Sequence, residues 1–231
     1  ECNCSNFYYL YTGLPKIEMN DSICASICAG TFLKSKTTTM LKLPKEHLSV
    51  SQINLWESDP IAYQKKYFIG IEDSPSPFLE FGKQFAKDIE DYAAGEQRDF
   101  NFPEGFIDMT LIYPHVEYKL EHDFGDFKML GYIDNMSKDY ELVVDFKTGT
   151  APWSTQRLQQ SLQMQTYSLI LWYQFNVIPT CIISYWKTKL KGKTLSWAGE
   201  HESFMYVFNS EELAATEARI RKAAKEISEA Y

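Results

Sequence analysis

The feature that most restricts the fold of this chain is a short apolar run, residues 140–144, that ends in Asp145-Phe146-Lys147. Side chains on a β-strand alternate between its two faces. Asp145 and Lys147 are therefore predicted to share one face, while Phe146 points into the opposite layer. A carboxylate and an amine would then meet in one small site.

A second carboxylate is predicted to lie beside this pair. Residues 131–134 end another strand-like run in Asp134, and the turn-rich residues 135–139 fit the connection of a hairpin. Two neighbouring acids and a lysine suit a site that binds a divalent metal such as Mg²⁺ and activates water. The alternative interpretation is structural: Asp134 belongs to the turn, and Asp145 and Lys147 pair on an exposed strand face.

Length and composition are those of an ordinary globular protein. The 231 residues are enough for one large domain, or for a domain with an appendage. Hydrophobic residues make up 45% and charged residues 23%, so we expect order over most of the chain. No apolar run approaches the roughly 18 residues of a membrane span, and the N-terminus lacks the pattern of a secretory signal. We therefore expect an intracellular protein that does not enter a membrane.

The charge distribution is weak evidence against nucleic-acid binding. The net charge is -8, whereas neutralising phosphates requires clustered basic residues. A single basic strip can nevertheless contact a substrate while the rest of the surface stays acidic. The clearest strip surrounds Gly192 and consists of four lysines, Lys187, Lys189, Lys191 and Lys193. A solvated hairpin is the favoured interpretation of this strip, and a loop that contacts a nucleic-acid backbone is the alternative.

The N-terminal segment differs from the rest of the chain. The five cysteines lie at positions 2, 4, 24, 28 and 181. The first four are spaced as C-x-C and C-x-x-x-C. Neither spacing is the C-x-x-C pair that indicates a zinc site strongly, so zinc is not favoured. Met40 then opens a stretch that reads like the start of a protein. Residues 1–39 are therefore predicted to be an appendage, or a segment that is not native, and residues 40–231 to form the main domain.

Periodicity and turn residues predict an order of helices, three strands, a helix, two strands and a helix. The predicted helices cover about residues 49–67 with a break at Asp59-Pro60, then 78–94, 154–175 and 210 onward. The predicted strands cover about residues 116–121, 128–134, 140–147, 177–187 and 204–208. The first three strands should be antiparallel neighbours. This order indicates one α/β domain around a mixed central sheet.

The predicted helix after the Asp-x-Lys strand carries two further polar residues of interest. Gln163 and Tyr167 are four positions apart, so they lie on one face of the helix. They could hydrogen-bond a phosphate or help to fix Lys147. Taken alone this pair is weak evidence, because glutamines are frequent in this helix and tyrosine is common at the edge of a core.

Three motifs in this order resemble the RecB-like exonuclease branch of the PD-(D/E)xK nuclease superfamily. They are G-Y-I-D at 131–134, V-V-D-F-K-T-G at 143–149 and Q-M-Q-T-Y at 163–167. The family motifs G-x-x-D, D-x-K-T-G and Q-x-x-x-Y occur in the same order. The resemblance covers about residues 48–190 and implies a restriction-endonuclease-like core, an α/β fold whose mixed central β-sheet is flanked by helices.

The resemblance also implies roles for individual residues. Asp134 and Asp145 would bind Mg²⁺ or Mn²⁺ together with the backbone carbonyl of Phe146, and Lys147 would position and polarise the attacking water. Glu117, on the preceding strand, matches an acid that is often found in this branch, although a surface role for it is an equal alternative. The two residues that would support the site from the following helix are Gln163 and Tyr167.

Two departures from the family pattern matter. Where the family commonly has a metal-binding histidine, this chain has Ala86, and Glu90 is a candidate replacement one turn further along the helix. The iron-sulfur subgroup has a cysteine before an early proline and three more near the C-terminus. Here Asp59 precedes Pro60, and Cys181 is the last cysteine. An iron-sulfur cluster is therefore not expected.

The leading functional hypothesis is a Mg²⁺- or Mn²⁺-dependent deoxyribonuclease, an exonuclease of phage or repair type. It implies DNA as the substrate, a helicase or recombination protein as the kind of partner, and the cytoplasm of a bacterium or phage-infected host cell. The alternative is a catalytically weak DNA-binding or scaffold protein that keeps the nuclease fold. An unrelated α/β hydrolase is a third hypothesis, but no G-x-S-x-G, P-loop or G-x-G-x-x-G motif supports it.

Overall fold

The computed structural model describes residues 39–72, 74 and 76–231. The appendage predicted for residues 1–39, with its four cysteines, lies outside the described residues except for Thr39. The helices are α1 (Val50–Ser58), α2 (Pro60–Gln64), which continues into a π-helical turn (Lys65–Ile69), α3 (Pro77–Ala93), α4 (Phe106–Met109), α5 (Thr155–Gln159), α6 (Leu162–Phe175) and α7 (Ser210–Ala230). The strands are β1 (His115–Asp123), β2 (Lys128–Met136), β3 (Leu142–Gly149), β4 (Thr180–Lys191) and β5 (Thr194–Val207).

The strands form one mixed sheet in the order β1-β2-β3-β4-β5. The first three strands are antiparallel neighbours, as predicted, and β5 is antiparallel to β4. β3 and β4 are parallel. Parallel neighbours need a long crossover connection, and helices α5 and α6 lie within it. The crossover thus returns α6 to the sheet beside the Asp-x-Lys strand.

The two faces of the sheet bury different sets of side chains. Ile133 and Val143 belong to a core that also contains residues of α6 and α7. Phe146 belongs to a second core on the other face, with Phe85 of α3 and Phe106 of α4. The predicted position of Phe146, in the layer opposite Asp145 and Lys147, is consistent with this arrangement.

Side-chain caps fix where several helices begin. Asp59 accepts a hydrogen bond from the Ala62 amide at 2.9 Å, so the Asp59-Pro60 pair starts α2, as predicted. The prediction of one helix over residues 154–175 is wrong, because Ser161 caps a new helix and separates α5 from α6. Among the helices of residues 39–72, 74 and 76–231, none has the length and hydropathy of a membrane span.

The lysine strip lies on a hairpin, as favoured from the sequence. β4 and β5 pair up to Lys191 and Thr194, and Gly192 turns the chain with a positive φ of 64°. Lys187 forms an ion pair with Glu200 at 2.5 Å. The predicted extent of the last strand, residues 204–208, is too short. In its first half exposed and half-buried residues alternate as far as Trp197, and Gly199, with a φ of 82°, then interrupts the pattern, so the strand signal there is weak.

The sheet opens between β2 and β3. β3 pairs with β4 along the whole of Leu142–Gly149. Its pairing with β2 covers two positions and ends at Asn135 and Val144. We call the space between residues 130–134 of β2 and residues 145–149 of β3 the split.

A segment from before α1 occupies one end of the split. The Leu48 amide donates to the Lys128 carbonyl, and the Leu130 amide donates to the Leu48 carbonyl, both at 2.8 Å. Earlier in the same segment, the Leu41 amide donates to the Asp126 carbonyl at 2.8 Å. The free edge of β2 is thus partly satisfied by residues that are distant in sequence.

Candidate active site

Asp145 and Lys147 meet on one face of β3, as predicted. The Lys147 Nζ atom lies 2.7 Å from Asp145 Oδ2. Asp145 is 0% exposed, which rules out the alternative in which the pair lies on an exposed face. Among the described residues, neither carboxylate oxygen of Asp145 has a hydrogen-bond partner, since the contact with Lys147 is close but lacks hydrogen-bond geometry. Buried polar atoms are normally paired, so this carboxylate is suited to a ligand.

Asp134 lies within β2 and not in the turn. Its Oδ2 atom accepts a hydrogen bond from the Phe146 amide at 2.8 Å, across the split. Burial and the nearby Asp145 raise the pKa of Asp134 above its usual range, and Lys147 opposes this rise. The second predicted carboxylate is therefore beside the first, in a setting that disfavours two negative charges without a cation.

A chain of hydrogen bonds links Lys147 to helix α6. Lys147 Nζ donates to Gln163 Oε1 at 3.1 Å, and Gln163 Nε2 donates to the Tyr167 hydroxyl at 2.9 Å. The Tyr167 hydroxyl in turn donates to the Tyr132 carbonyl of β2. The two helix residues are on one face, as predicted, and they hold the lysine in position.

Gly131 allows this chain of bonds to form. A Cβ atom at Gly131 would lie 2.9 Å from Tyr167 Cε1, which is closer than such contacts occur. Burial raises the pKa of Tyr167, so its hydroxyl keeps its proton and remains a donor. The glycine of the G-x-x-D motif is thus explained by close packing against Tyr167. The sequence patterns did not predict that Gly131 and the Tyr132 carbonyl contribute to the site. The spacing of the motifs was the signal that could have pointed to them.

The charge state of Lys147 follows from its surroundings. Burial acts to lower the pKa of Lys147, but the carboxylates of Asp145 and Asp134 outweigh it, so the pKa lies above its ordinary value. The amine is therefore an ammonium ion at neutral pH. It can donate hydrogen bonds to water or to a phosphate oxygen, and it is poorly suited to accept a proton.

Glu117 lies at the position of β1 that faces Asp134. The pairs on either side, formed by Val116 and Tyr118, place it there. Its φ is 48°, in the left-handed region that residues other than glycine rarely adopt. Burial, Glu90 and Asp145 raise the pKa of Glu117. Strained backbone of this kind is concentrated at functional sites, and no feature of the sequence signals it.

Ala86 and Glu90 differ in their relation to this site. Ala86 lines a narrow cleft that is also lined by Glu117, Asp134 and Phe146. Glu90 is exposed and lies 3.1 Å from the Lys87 ammonium. Its negative charge helps to raise the pKa of Glu117, but its side chain is not among those that line the cleft. Glu90 therefore stays a prediction as a metal ligand, as does Glu117.

The donors present fit a hard divalent cation in part. Carboxylate and carbonyl oxygens are the ligands that Mg²⁺ and Mn²⁺ prefer, and the two oxygens of Asp145, which accept no hydrogen bond from the described residues, provide two such atoms. Asp134 and the Phe146 carbonyl are the further predicted donors. Within residues 39–72, 74 and 76–231, no three His, Cys, Asp or Glu side chains already form a ready metal cluster. Water would therefore complete the coordination, as is usual for Mg²⁺.

Two solved structures are similar to this chain to different degrees. The chain is similar to a candidate exonuclease from Eubacterium rectale, with a TM-score of 0.54, 12% sequence identity and coverage of 79% of this chain and 82% of that one. It is also similar to a phage-related exonuclease from Haemophilus somnus, with a TM-score of 0.44, 12% identity and coverage of 71% and 76%. No curated protein matches the sequence. At this identity the first similarity shows the fold alone, and it confirms the restriction-endonuclease-like core.

A family model provides the stronger result. The model described as the PD-(D/E)XK nuclease superfamily matches residues 110–231, which is more than half of the chain. The matched residues include all five strands and the helix that holds Lys147 in position. The chain belongs to the PD-(D/E)XK nuclease superfamily.

Proposed function

We propose that this chain is a Mg²⁺- or Mn²⁺-dependent deoxyribonuclease that acts as an exonuclease. The observation that carries the proposal is the buried carboxylate of Asp145, which has no hydrogen-bond partner among the described residues and lies 2.7 Å from Lys147 Nζ. Nucleases of this superfamily generally use divalent metal ions. The cation itself and the preference for DNA are parts of the proposal.

The residues of the site would share the work in the following way. Asp134, Asp145 and the Phe146 carbonyl would hold the cation, which when bound offsets phosphate charge and activates water for hydrolysis of the phosphodiester bond. Lys147, held as an ammonium ion, would donate a hydrogen bond to the attacking water or to a phosphate oxygen. Gln163 would keep Lys147 Nζ in place, as its 3.1 Å hydrogen bond indicates.

The test is digestion of end-labelled single-stranded and double-stranded DNA with Mg²⁺, with Mn²⁺ and with EDTA. Loss of label from the ends, only with metal, is expected for the wild type. Lys147→Ala should abolish it, and Lys189→Ala on the exposed hairpin is the matched control that should remain active. Persistent full activity of Lys147→Ala would contradict the role assigned to Lys147. Cleavage in EDTA would show that the reaction does not require a divalent metal.

A second candidate function is a DNA-binding or scaffold protein with weak catalysis. Ala86 favours it, because an alanine lines the cleft beside Asp134 and supplies no ligand. Calorimetry with Mn²⁺ separates the two functions. No binding at millimolar metal, together with intact DNA affinity, would support the scaffold, whereas binding that Asp145→Asn removes would support the nuclease.

The biological setting is proposed from the activity. A DNA exonuclease would act in DNA repair, in recombination or in the processing of phage DNA. It would do so in the cytoplasm of a bacterium or a phage-infected cell, together with a helicase or a recombination protein. Co-purification with such a partner from a native source, lost when the chain is absent, is the observation that would support this setting.

A further inference from the structure

A groove leads away from the site along β2 to the segment before α1. The part nearest the site is lined by Gln163, Tyr167 and Tyr132, together with residues at the start of α1. The outer part is lined by residues 40–47 and by side chains of β1 and β2. Both parts share His47, Leu130 and Tyr132, so they form one continuous surface.

The outer part of the groove is basic although the protein is acidic. Its charged lining consists of four lysines and two glutamates, Lys42, Lys45, Lys119, Lys128, Glu46 and Glu121, within a chain of net charge -8. One lysine is neutralised, because Lys119 Nζ lies 2.8 Å from Glu121. Lys42 lies over the ring of Tyr231 at 5.1 Å. A groove lined by basic side chains concentrates the field that attracts a polyanion.

Tyr132 lies where the two parts of the groove meet. Its side chain is 48% exposed, although its backbone is held firmly because the carbonyl accepts the Tyr167 hydroxyl. It precedes Asp134 by two residues in β2. An exposed ring on a fixed backbone, next to a basic groove, is the arrangement on which unpaired bases stack.

We propose that this groove binds single-stranded DNA and leads it to Lys147. A base would stack on Tyr132, and the phosphates would contact Lys42, Lys45 and Lys128. Duplex DNA fits less well, because its base faces are stacked on one another and are not available to the ring. The inference rests on the proposed function for the identity of the polymer, but the binding itself does not require cleavage.

The first experiment measures the role of the ring. Fluorescence anisotropy in EDTA, where a metal-dependent enzyme cannot cleave, gives the affinity for a labelled oligothymidylate of about 16 nucleotides. Tyr132→Ala should weaken binding by about tenfold, and Tyr132→Phe should restore it. Tyr132→Leu keeps apolar bulk without a ring and should resemble Tyr132→Ala. Equal affinity of the leucine and phenylalanine variants would overturn the stacking role.

The second experiment measures the role of the charges with a matched control. Replacing Lys42, Lys45 and Lys128 together by glutamine should reduce the salt dependence of binding. The slope of log K against log salt is expected to fall by about 2, since each phosphate contact on a single strand contributes about 0.7. The control replaces three of the four lysines of the β4–β5 hairpin, Lys189, Lys191 and Lys193, by glutamine, which changes the net charge equally.

The outcomes separate this inference from the proposed function. A loss of binding confined to the groove variants supports the groove even if the wild type never cleaves DNA. An equal or larger loss in the hairpin control overturns it and assigns the strand to the hairpin. Competition by a duplex as effective as that by the single strand also overturns it. Circular dichroism and thermal unfolding of each variant show whether a loss of binding comes from misfolding.

Discussion

Strand β3 has two neighbours, and its relation to them is unequal. With β4 it forms a continuous parallel ladder along Leu142–Gly149. With β2 it pairs at two positions and then separates. On the first side, backbone groups satisfy one another. On the second side, Asp134 reaches the Phe146 amide and Tyr167 reaches the Tyr132 carbonyl.

The two sides of β3 show how this fold leaves polar groups available for a ligand. A complete ladder leaves no backbone donor or acceptor for anything else. Where the ladder stops, side chains replace it, and the carboxylates among them can serve a ligand too. The split is thus the part of the sheet in which stability and function compete. Four predictions test whether the two sides of β3 differ in this way.

The largest effect is expected for Asp145→Asn. Nuclease activity should fall by at least about 100-fold, because a charged group at the reacting centre is removed. In the metal-free variant two effects oppose each other, because the amide relieves the repulsion between Asp145 and Asp134 but also breaks the 2.7 Å ion pair with Lys147, so we expect a small change in stability. Digestion of end-labelled DNA measures the first part, and thermal unfolding in EDTA and in Mn²⁺ measures the second: Mn²⁺ should stabilise the wild type but not Asp145→Asn.

A buried aspartate outside the split is the control. Asp88 of α3 is bonded by Arg98 at 2.7 Å, by Gln84 at 2.9 Å and by the Asn101 amide at 3.3 Å. Asp88→Asn should lower the free energy of unfolding by about 1.5–3 kcal/mol, because it weakens the charge-assisted hydrogen bonds of a buried carboxylate with a partly exposed Arg98, and should leave the response to Mn²⁺ intact. If Asp145→Asn destabilised the protein as much, Asp145 would be a structural acid.

The next largest effect is expected for Gly131→Ala. The added methyl group would displace the Tyr167 ring, which lies 2.9 Å away, and so loosen the contacts that fix Lys147. We expect a loss of about 1–3 kcal/mol of stability and a lower rate of cleavage at saturating DNA. Gly149→Ala in β3 is the control, since the atom nearest to its added Cβ, Tyr185 Cε2 of β4, is 3.9 Å away. Equal effects of the two variants would show that Tyr167 can adjust.

A smaller effect is expected for the dependence of metal binding on pH. Burial and Asp145 raise the pKa of Asp134 to about 8, so a proton competes with the metal at neutral as well as acidic pH. Mn²⁺ affinity measured by calorimetry should rise with pH by up to about tenfold per unit. Asp134→Asn should flatten this dependence, and an equally steep profile in that variant would assign the proton elsewhere.

The pH dependence of metal-free stability has the opposite sign to that of metal affinity. Because folding raises the pKa of Asp134, its ionisation opposes folding, so its contribution to metal-free stability is greatest at low pH. That contribution is lost as the pH rises from the ordinary pKa of an aspartate through the raised one. Unfolding curves in EDTA for the wild type and Asp134→Asn should therefore converge at low pH and differ at higher pH.

The smallest effect is expected for Glu117→Gly. Glycine adopts a positive φ without strain, so the free energy of unfolding should rise by up to about 1 kcal/mol. Glu121→Gly is the control in the same strand, at a position without a positive φ, and should lower it by about 0.5–1 kcal/mol. Denaturant unfolding measures both. If both variants lost stability equally, the strain at Glu117 would be negligible.

Much of the site could be predicted because it depends on the spacing of residues within single strands and helices. The alternation of side chains places Asp145 and Lys147 on one face of β3. Helical spacing places Gln163 and Tyr167 on one face of α6. The order of strands followed from turn residues and apolar runs. Burial of Asp145 could not be predicted, because it depends on α6 packing over β3, and that packing follows from the parallel partner β4.

Other features depend on contacts that sequence patterns do not encode. The break at Ser161 is a cap within a continuous apolar pattern, so one helix and two give nearly the same signal. The positive φ of Glu117 is a backbone conformation that no residue pattern in β1 signals. The residues of the groove were also missed, because Lys42 and Lys45 reach β2 only through the backbone bonds of Leu48.

The backbone bonds of Leu48 have a consequence for the order of folding. The catalytic candidates fall between Asp134 and Tyr167, so a hairpin and the helix after it bring them together through short loops. The bridge from Leu48 to Met129 closes a loop of more than twice that length. Loop closure costs more entropy as loops lengthen, so we expect the site to assemble before the groove that serves it.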